Sequence, residues 1–279
     1  MKNIKLLQPD ELAGHALLWI HELGWLRSVE LARFLYPKDR HGRKYAEKVL
    51  RKLIGLRYII ARPLPGRSAG NAYVLAQRGA NWLNEHSSGR EYKPGTKWGK
   101  AGGGRWEPPA TWRHELLCTG VLSIMSERGL DFKQEATLRA EKPDSVKHPD
   151  ALIVGVAAGK PVAAWLEVEN SRKSGKNLAD MLRAVAAAAR EKPLTTYKDA
   201  PVRLGWIAIP ALSKDERGHN INHMTRIENK IKTFELNGPL TLTFLLMHER
   251  GVGVERLEII TKTYSPPPLT PPPVDNPAG

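Results

Sequence analysis

The sequence predicts an α/β chain, α+β overall, in which a winged helix-turn-helix precedes a mixed-sheet α/β domain. Three observations predict it. Residues 1–87 read as helix, helix, helix, hairpin, helix. Residues 110–264 alternate strand-like apolar runs with helical ones. Between them, residues 88–109 are rich in Gly, Pro and Lys and show no apolar period, which reads as an exposed linker.

In the first unit, Asp10 can cap a helix carrying Leu12, Ala16, Leu17, Ile20 and Leu23 on one face. After a turn at Gly24, Ser28 is placed to cap a short second helix, Val29–Leu35, which Pro37 ends. A third helix runs from about Arg40 to Leu56, with Ala46, Val49, Leu50, Leu53 and Ile54 at helical spacing. Two β-like runs, Tyr58–Arg62 and Asn71–Leu75, flank the turn-rich PLPGRSAG, and a last helix spans Gln77–Glu85.

The second unit opens with a helix over Thr111–Arg128. Strand-like runs follow at Phe132–Arg139, Ala151–Val156 and Val162–Glu169, then a helix at Lys176–Arg190. Val202–Ile209, a helix near Asn222–Leu236, Leu240–His248 and a strand around Leu257–Thr261 complete it. Residues 265–279, SPPPLTPPPVDNPAG, lack the backbone donors that helix or sheet needs and read as a disordered proline-rich tail.

The formal net charge is +14, which points to a polyanionic partner. Residues 1–90 hold 16 Lys and Arg against 7 Asp and Glu, a net of +9, so most of the excess lies in the first unit. On the third helix the apolar stripe leaves Arg40, Arg43, Lys44, Lys48, Arg51 and Lys52 outside the core, and Arg67 sits at the hairpin tip. Such a face neutralises phosphates and releases counterions. In the winged helix-turn-helix order this third helix enters the major groove of double-stranded DNA.

Other classes are disfavoured. A single cysteine, Cys118, allows no intramolecular disulfide and no cysteine zinc cluster, and fits a reducing compartment. No run of about 18 apolar residues spells a membrane span, and no secretory signal is legible. The expected location is therefore cytoplasmic, with no membrane partner. GKAGGGRW lacks the ending of a phosphate loop. Cys118, among Leu116, Leu117 and Val121, reads as packing; Trp98 and Trp106 read as holding a loop down rather than stacking on bases. His219 and His223 have metal-ligand spacing but no third ligand.

The chemistry in the second unit rests on carboxylates. Asp150 stands before the run ALIVGV, and Glu167 and Glu169 alternate onto one face of the next strand. Acidic side chains there are costly to bury unless paired or bound to a cation. Asp150 and Glu167 are the candidate ligands for Mg²⁺ or Mn²⁺. Salt bridges to Arg172 and Lys173 on a solvent-facing strand are the competing reading.

Pro149-Asp150, then Glu167, after a helix carrying Glu115, resembles the restriction-endonuclease-like nuclease fold. That pattern places a lysine where this chain has Glu169, so Lys173 or Lys176 would have to substitute. The whole layout resembles the replication-relaxation family over about residues 15–250. The resemblance rests on the winged helix, Trp112-Arg113-His114-Glu115, Glu135 on a strand, His148-Pro149-Asp150-Ala151 and Leu166-Glu167-Val168-Glu169-Asn170-Ser171. It implies a role in plasmid or mobile-element replication or conjugative mobilisation. It also implies nuclease-like catalytic candidates Asp150, Glu167, Glu169 and Glu115, and DNA plus other mobilisation or replication proteins as partners. Two alternatives stay open: a non-catalytic winged-helix regulator, which would act as a homodimer, and an accessory subunit of a relaxation complex.

Overall fold

The structure, a computed structural model, describes residues 9–66, 69–87, 91–102, 105–141, 147–157, 159–170, 175–190, 196–197, 200–214, 220–233 and 240–265. The proline-rich tail from 266 onward and Arg67 lie outside them.

The first unit has the predicted element order: α1 (Pro9–Glu22), α2 (Ser28–Leu35), α3 (Gly42–Gly55), the antiparallel pair β1 (Ile59–Pro63) and β2 (Asn71–Leu75), then α4 (Gln77–His86). Ala46, Leu50 and Leu53 bury one face of α3, whereas Ile54, assigned to the same stripe from spacing, is 39% exposed. The start of α2 also differs from expectation. Arg27, not Ser28, occupies the cap position, and no side chain caps the helix. Instead the Arg27 guanidinium pairs with Glu30 in the first turn, both buried.

Residues 88–109 are not a free linker where they are described. Asn84 exchanges two hydrogen bonds with the backbone of Tyr92, whose side chain is buried. The Gly95 amide donates to the Leu75 carbonyl at 2.9 Å. β3 (Lys100–Gly102) and β4 (Arg105–Glu107) then form a small antiparallel hairpin. Trp98 lies between Trp25 and Trp106, with ring centroids 4.7 and 5.0 Å away. Gly99 adopts φ +78°, and a side chain there would collide with the Trp106 ring. The composition imitates a loop, but the tryptophans supply enough apolar area to hold the segment down.

The rest is a mixed α/β layer. It comprises α5 (Trp112–Glu127), β5 (Asp131–Gln134), α6 (Glu135–Glu141), β6 (Ala151–Ala157), β7 (Lys160–Val168), α7 (Gly175–Arg190), β8 (Thr196–Tyr197) and β9 (Ala200–Pro210). Then come the short pair β10 (Ser213–Lys214) and β11 (Asn220–Ile221), α8 (His223–Ile231), β12 (Leu240–Arg250) and β13 (Gly253–Tyr264). Six strands run in the order β13-β12-β9-β7-β6-β5, and β8 adds to β9 off this path. β12, β9 and β7 are mutually parallel; the outer pairs are antiparallel.

The predicted strand Phe132–Arg139 breaks after Gln134, so Glu135 opens a helix instead of lying on a strand. An Arg139–Glu135 ion pair at 2.6 Å, four residues apart, fits a helical turn and has no equivalent in a strand. α8 ends at Ile231, and Leu236 lies outside the described residues.

The two sheet faces bury different partners. Leu166, Val168, Ala208, Leu245 and Met247 face α5, and their cluster runs on without interruption into Leu17, Ile20, Leu31 and Phe34 of the first unit. Ile207, Ile209, Leu242 and Phe244 face α7 and α8. The two predicted units thus share one core. Polar ties reinforce it: Arg33 on α2 donates to Ser123 Oγ and to the Val254 and Glu255 carbonyls. The Lys38 amide, at a left-handed φ of 65°, donates to Glu127 on α5 at 2.9 Å. Among the described residues no helix is long and apolar enough to cross a membrane.

Candidate functional site

Two regions gather chemistry-bearing side chains. The first is the outer face of α3. Arg43, Lys44, Lys48, Arg51 and Lys52 are all exposed, as is Tyr45; the helix starts at Gly42 rather than near Arg40, so Arg40 and His41, also exposed, stand just before it. Restraint is local: Arg43 pairs with Glu47 at 2.9 Å, Arg51 donates to the Glu47 carbonyl at 3.3 Å, and Lys48 lies 5.8 Å from the Tyr45 ring centroid. Glu47 is the one acidic residue on the helix, so the face keeps a strong positive excess. Arg43 also lines a cleft of about 600 Å³ between the first unit and the turn joining β12 to β13, with Arg27, Arg33 and Arg250. This joint contribution of distant arginines was not legible in the sequence.

The second region lies where α5 meets the start of β6. The register Ala151 to Leu166 sets Asp150 beside Glu167, and the Asp150 amide donates to the Leu166 carbonyl at 3.0 Å. Asp150 Oδ2 accepts from the Val168 amide at 2.6 Å, and its Oδ1 lies 3.1 Å from His114 Nε2. One helical turn on, Cys118 Sγ lies 3.4 Å from the same nitrogen. Among the described residues, His114, Cys118 and Asp150 form the one group of three such side chains whose ligand atoms converge, all within 4.8 Å of one another.

Glu167 is buried, with Oε2 receiving Lys147 Nζ at 2.9 Å and Oε1 receiving the Trp165 indole at 2.8 Å. Burial, and then the Asp150 charge, push its carboxyl above the usual range, while Lys147 opposes them. Lys147 reaches Glu167 from the segment just before Asp150. Lys176 is exposed on α7, and Lys173 and Arg172 lie outside the described residues.

Glu169 is fully buried, its amide donating to the Ala208 carbonyl at 2.8 Å. It acts on His223 at the start of α8: burial and Arg226 push the His223 imidazole below its usual pKa, and the Glu169 charge opposes them. His219 lies outside the described residues. Glu115 is directed to the first unit. Its Oε2 accepts from the Trp25 and Trp98 indoles at 2.7 and 3.0 Å, and its Oε1 from Thr111 at 2.6 Å.

A hard cation such as Mg²⁺ or Mn²⁺ needs several carboxylate or carbonyl oxygens turned to one point. Both Glu167 oxygens and Asp150 Oδ2 are already engaged by donors, and the group that converges offers nitrogen, sulfur and a single oxygen. Among the described residues, the one group that converges thus offers a donor set different from the hard-cation site expected from the sequence.

Cys118 packs against the core, as its neighbours in sequence suggest, and its sulfur also lies beside His114. Burial and the surrounding carboxylates, Asp150 first, hold its thiol well above the ordinary pKa. The one available signal was the i, i+4 spacing of His114 and Cys118 on a helix.

No family model, curated protein or solved structure matches the chain.

Proposed function

We propose that this chain binds double-stranded DNA with α3 in the major groove and the β1–β2 hairpin as its wing. We further propose that it serves replication or mobilisation of a mobile element, as its resemblance to the replication-relaxation family implies. One observation carries the reading: α3 packs one face into the core and exposes five Lys and Arg side chains along the other, with Arg40 exposed just before its first turn. The helix, helix, helix, hairpin order supports the winged-helix reading, and the mixed sheet with Asp150 and Glu167 at adjacent strand starts and ends supports the nuclease-like one.

Two modes of action divide on the second region. The engaged oxygens of Glu167 and Asp150 favour an accessory or regulatory protein that binds without cutting. The placement of Lys147 on Glu167 favours nicking, because it returns a cation to the carboxylate pair. Mobility-shift titration of duplex DNA over a range of salt tests the binding. Affinity is expected to fall steeply and linearly with salt on logarithmic axes; weak, salt-insensitive binding would refute it. Supercoiled plasmid incubated with and without Mg²⁺ or Mn²⁺ separates the modes. Nicking lost in Asp150→Asn supports the enzyme, and intact plasmid with tight binding supports the accessory protein.

A further inference from the structure

We infer that His114, Cys118 and Asp150 form a binding site for a thiophilic divalent cation, with Zn²⁺ as the reference ion. The inference goes beyond DNA binding and does not depend on DNA cleavage.

The donor set is the first argument. Imidazole nitrogen, thiolate sulfur and one carboxylate oxygen together select a borderline-soft ion over Mg²⁺ or Mn²⁺. The spacing is the second. Ordinary Zn–N, Zn–O and Zn–S bonds of about 2.0–2.3 Å at tetrahedral angles give ligand edges of roughly 3.3 Å for N···O and 3.6 Å for N···S. The corresponding distances here are 3.1 Å from His114 Nε2 to Asp150 Oδ1 and 3.4 Å from Nε2 to Cys118 Sγ. Two of the three edges thus lie close to the lengths a tetrahedral ion would set, and the third pair of ligand atoms lies within 4.8 Å.

Pre-organisation is the third. His114 and Cys118 share one face of α5, a 16-residue helix whose interior is packed on the sheet. Asp150 is fixed by its Oδ2 on the Val168 amide, which leaves Oδ1 towards His114. Anchoring a ligating carboxylate through its other oxygen is how metal sites orient their ligands. The His114 side chain is 33% exposed and that of Asp150 13%, so an ion can reach the group from solvent.

The protons can be followed with and without a cation. His114 Nε2 faces a carboxylate oxygen, which only accepts, and a thiol sulfur. An Nε2–H donated to Asp150 Oδ1, with the thiol sulfur a weak acceptor beside it, satisfies the group without an ion. A cation changes the arrangement. The thiol proton leaves to solvent, the thiolate and the Nε2 lone pair both bind the ion, and the imidazole keeps its proton on Nδ1. One proton is released per ion bound, with no change of oxidation state.

The experiment titrates the full chain, reduced and metal-free, with Co²⁺ as a spectroscopic stand-in. The expected result is saturation at one equivalent, with thiolate-to-cobalt charge transfer and the visible bands of a tetrahedral ion, all removed by added Zn²⁺. Cys118→Ser should abolish the charge-transfer band. Asp150→Asn should weaken binding by more than the roughly 10- to 100-fold that loss of an outer hydrogen-bond partner costs a metal site. Protection of Cys118 from alkylation by Zn²⁺, but not by Mg²⁺ at the same concentration, reads the site in the wild-type chain and so does not depend on whether a variant folds. The absence of a charge-transfer band at saturating Co²⁺ would overturn the inference, as would alkylation unaffected by Zn²⁺. Cobalt binding in a protein that leaves plasmid intact would keep this inference and refute nicking. Nicking without cobalt binding would do the reverse.

Discussion

α3 and α5 are helices of similar length, 14 and 16 residues, that put their polar side chains to opposite uses. On α3 the charges point outward, and Arg43 and Arg51 bond within the helix, to Glu47. On α5 several polar side chains reach residues distant in sequence. Arg113 meets the Val252 carbonyl and Glu249, His114 meets Asp150, and Glu115 meets Trp25 and Trp98. The first pattern makes a surface whose parts act additively, as phosphate contacts do. The second makes a junction in which each group depends on the fold being complete. Substitutions on the two helices should therefore differ in kind, with stability reduced around α5 and affinity reduced on α3.

The largest effect is expected where α2 docks on the far hairpin. Arg27 and Glu30 are buried, and a side chain at Gly253 would run into the Arg27 guanidinium. Removing one partner leaves an uncompensated buried charge, so Arg27→Ala or Glu30→Ala should destabilise by about 3–5 kcal/mol. Urea unfolding measures it. Because one core joins the two predicted units, the transition should stay single and involve both. Two separated transitions, or limited digestion within 88–109 releasing a folded DNA-binding fragment, would restore the linker and break the contrast between the two helices.

Next comes Glu115. Glu115→Ala takes the acceptor from two indole N–H groups and should cost about 2–3 kcal/mol, with a change in tryptophan emission as Trp25 and Trp98 loosen. DNA affinity at temperatures well below melting should hardly move. A specific loss of plasmid nicking with unchanged stability would instead give Glu115 the catalytic role that the sequence suggested.

What the sequence made legible follows the same divide. α3 could be read because its signal is local: an apolar stripe at helical spacing and cations in the gaps. β2 was found at its observed limits, Asn71–Leu75, for the same reason. The second region could be read only in part. Asp150 and Glu167 stood out as acidic residues at strand ends, and strand pairing does set them side by side. Lys147 did not stand out, and His114 did so only within the Trp112–Glu115 motif and without its partner, because their partners lie 20 and 36 residues away and only the sheet register and the docking of α5 bring them in. The hairpin at 100–107 was hidden by Gly and Lys content, although Trp98 and Trp106 were visible.

A smaller effect sharpens the α3 side. Lys44→Ala with Lys48→Ala should lower the slope of log affinity against log salt by about 2, roughly one for each phosphate no longer neutralised. Affinity at moderate salt should fall about tenfold, equivalent to about 1.4 kcal/mol. Both side chains are exposed, so stability should stay within about 0.5 kcal/mol of wild type. An unchanged salt slope with an intact fold would remove α3 from the interface.

The smallest effect concerns Glu167, and its sign decides between burial and pairing. Its carboxyl lies above the ordinary value of 4.5, with burial the leading cause, Asp150 second, and Lys147 opposing both. A group whose folded pKa is raised binds its proton more tightly in the native state. Its favourable contribution is complete below the unfolded pKa and is lost as pH rises through the folded one. Glutamine cannot ionise, so Glu167→Gln removes that loss. Relative to wild type, the variant should gain stability as pH rises from about 4.5, and the gain should level off once native Glu167 is fully ionised. Urea midpoints for both proteins at a series of pH values measure the difference. Lys147→Ala should widen the window by removing the opposing cation. If the relative stability of Glu167→Gln instead falls over that pH range, Lys147 outweighs burial, and Glu167 is held as a paired anion rather than a reluctant one.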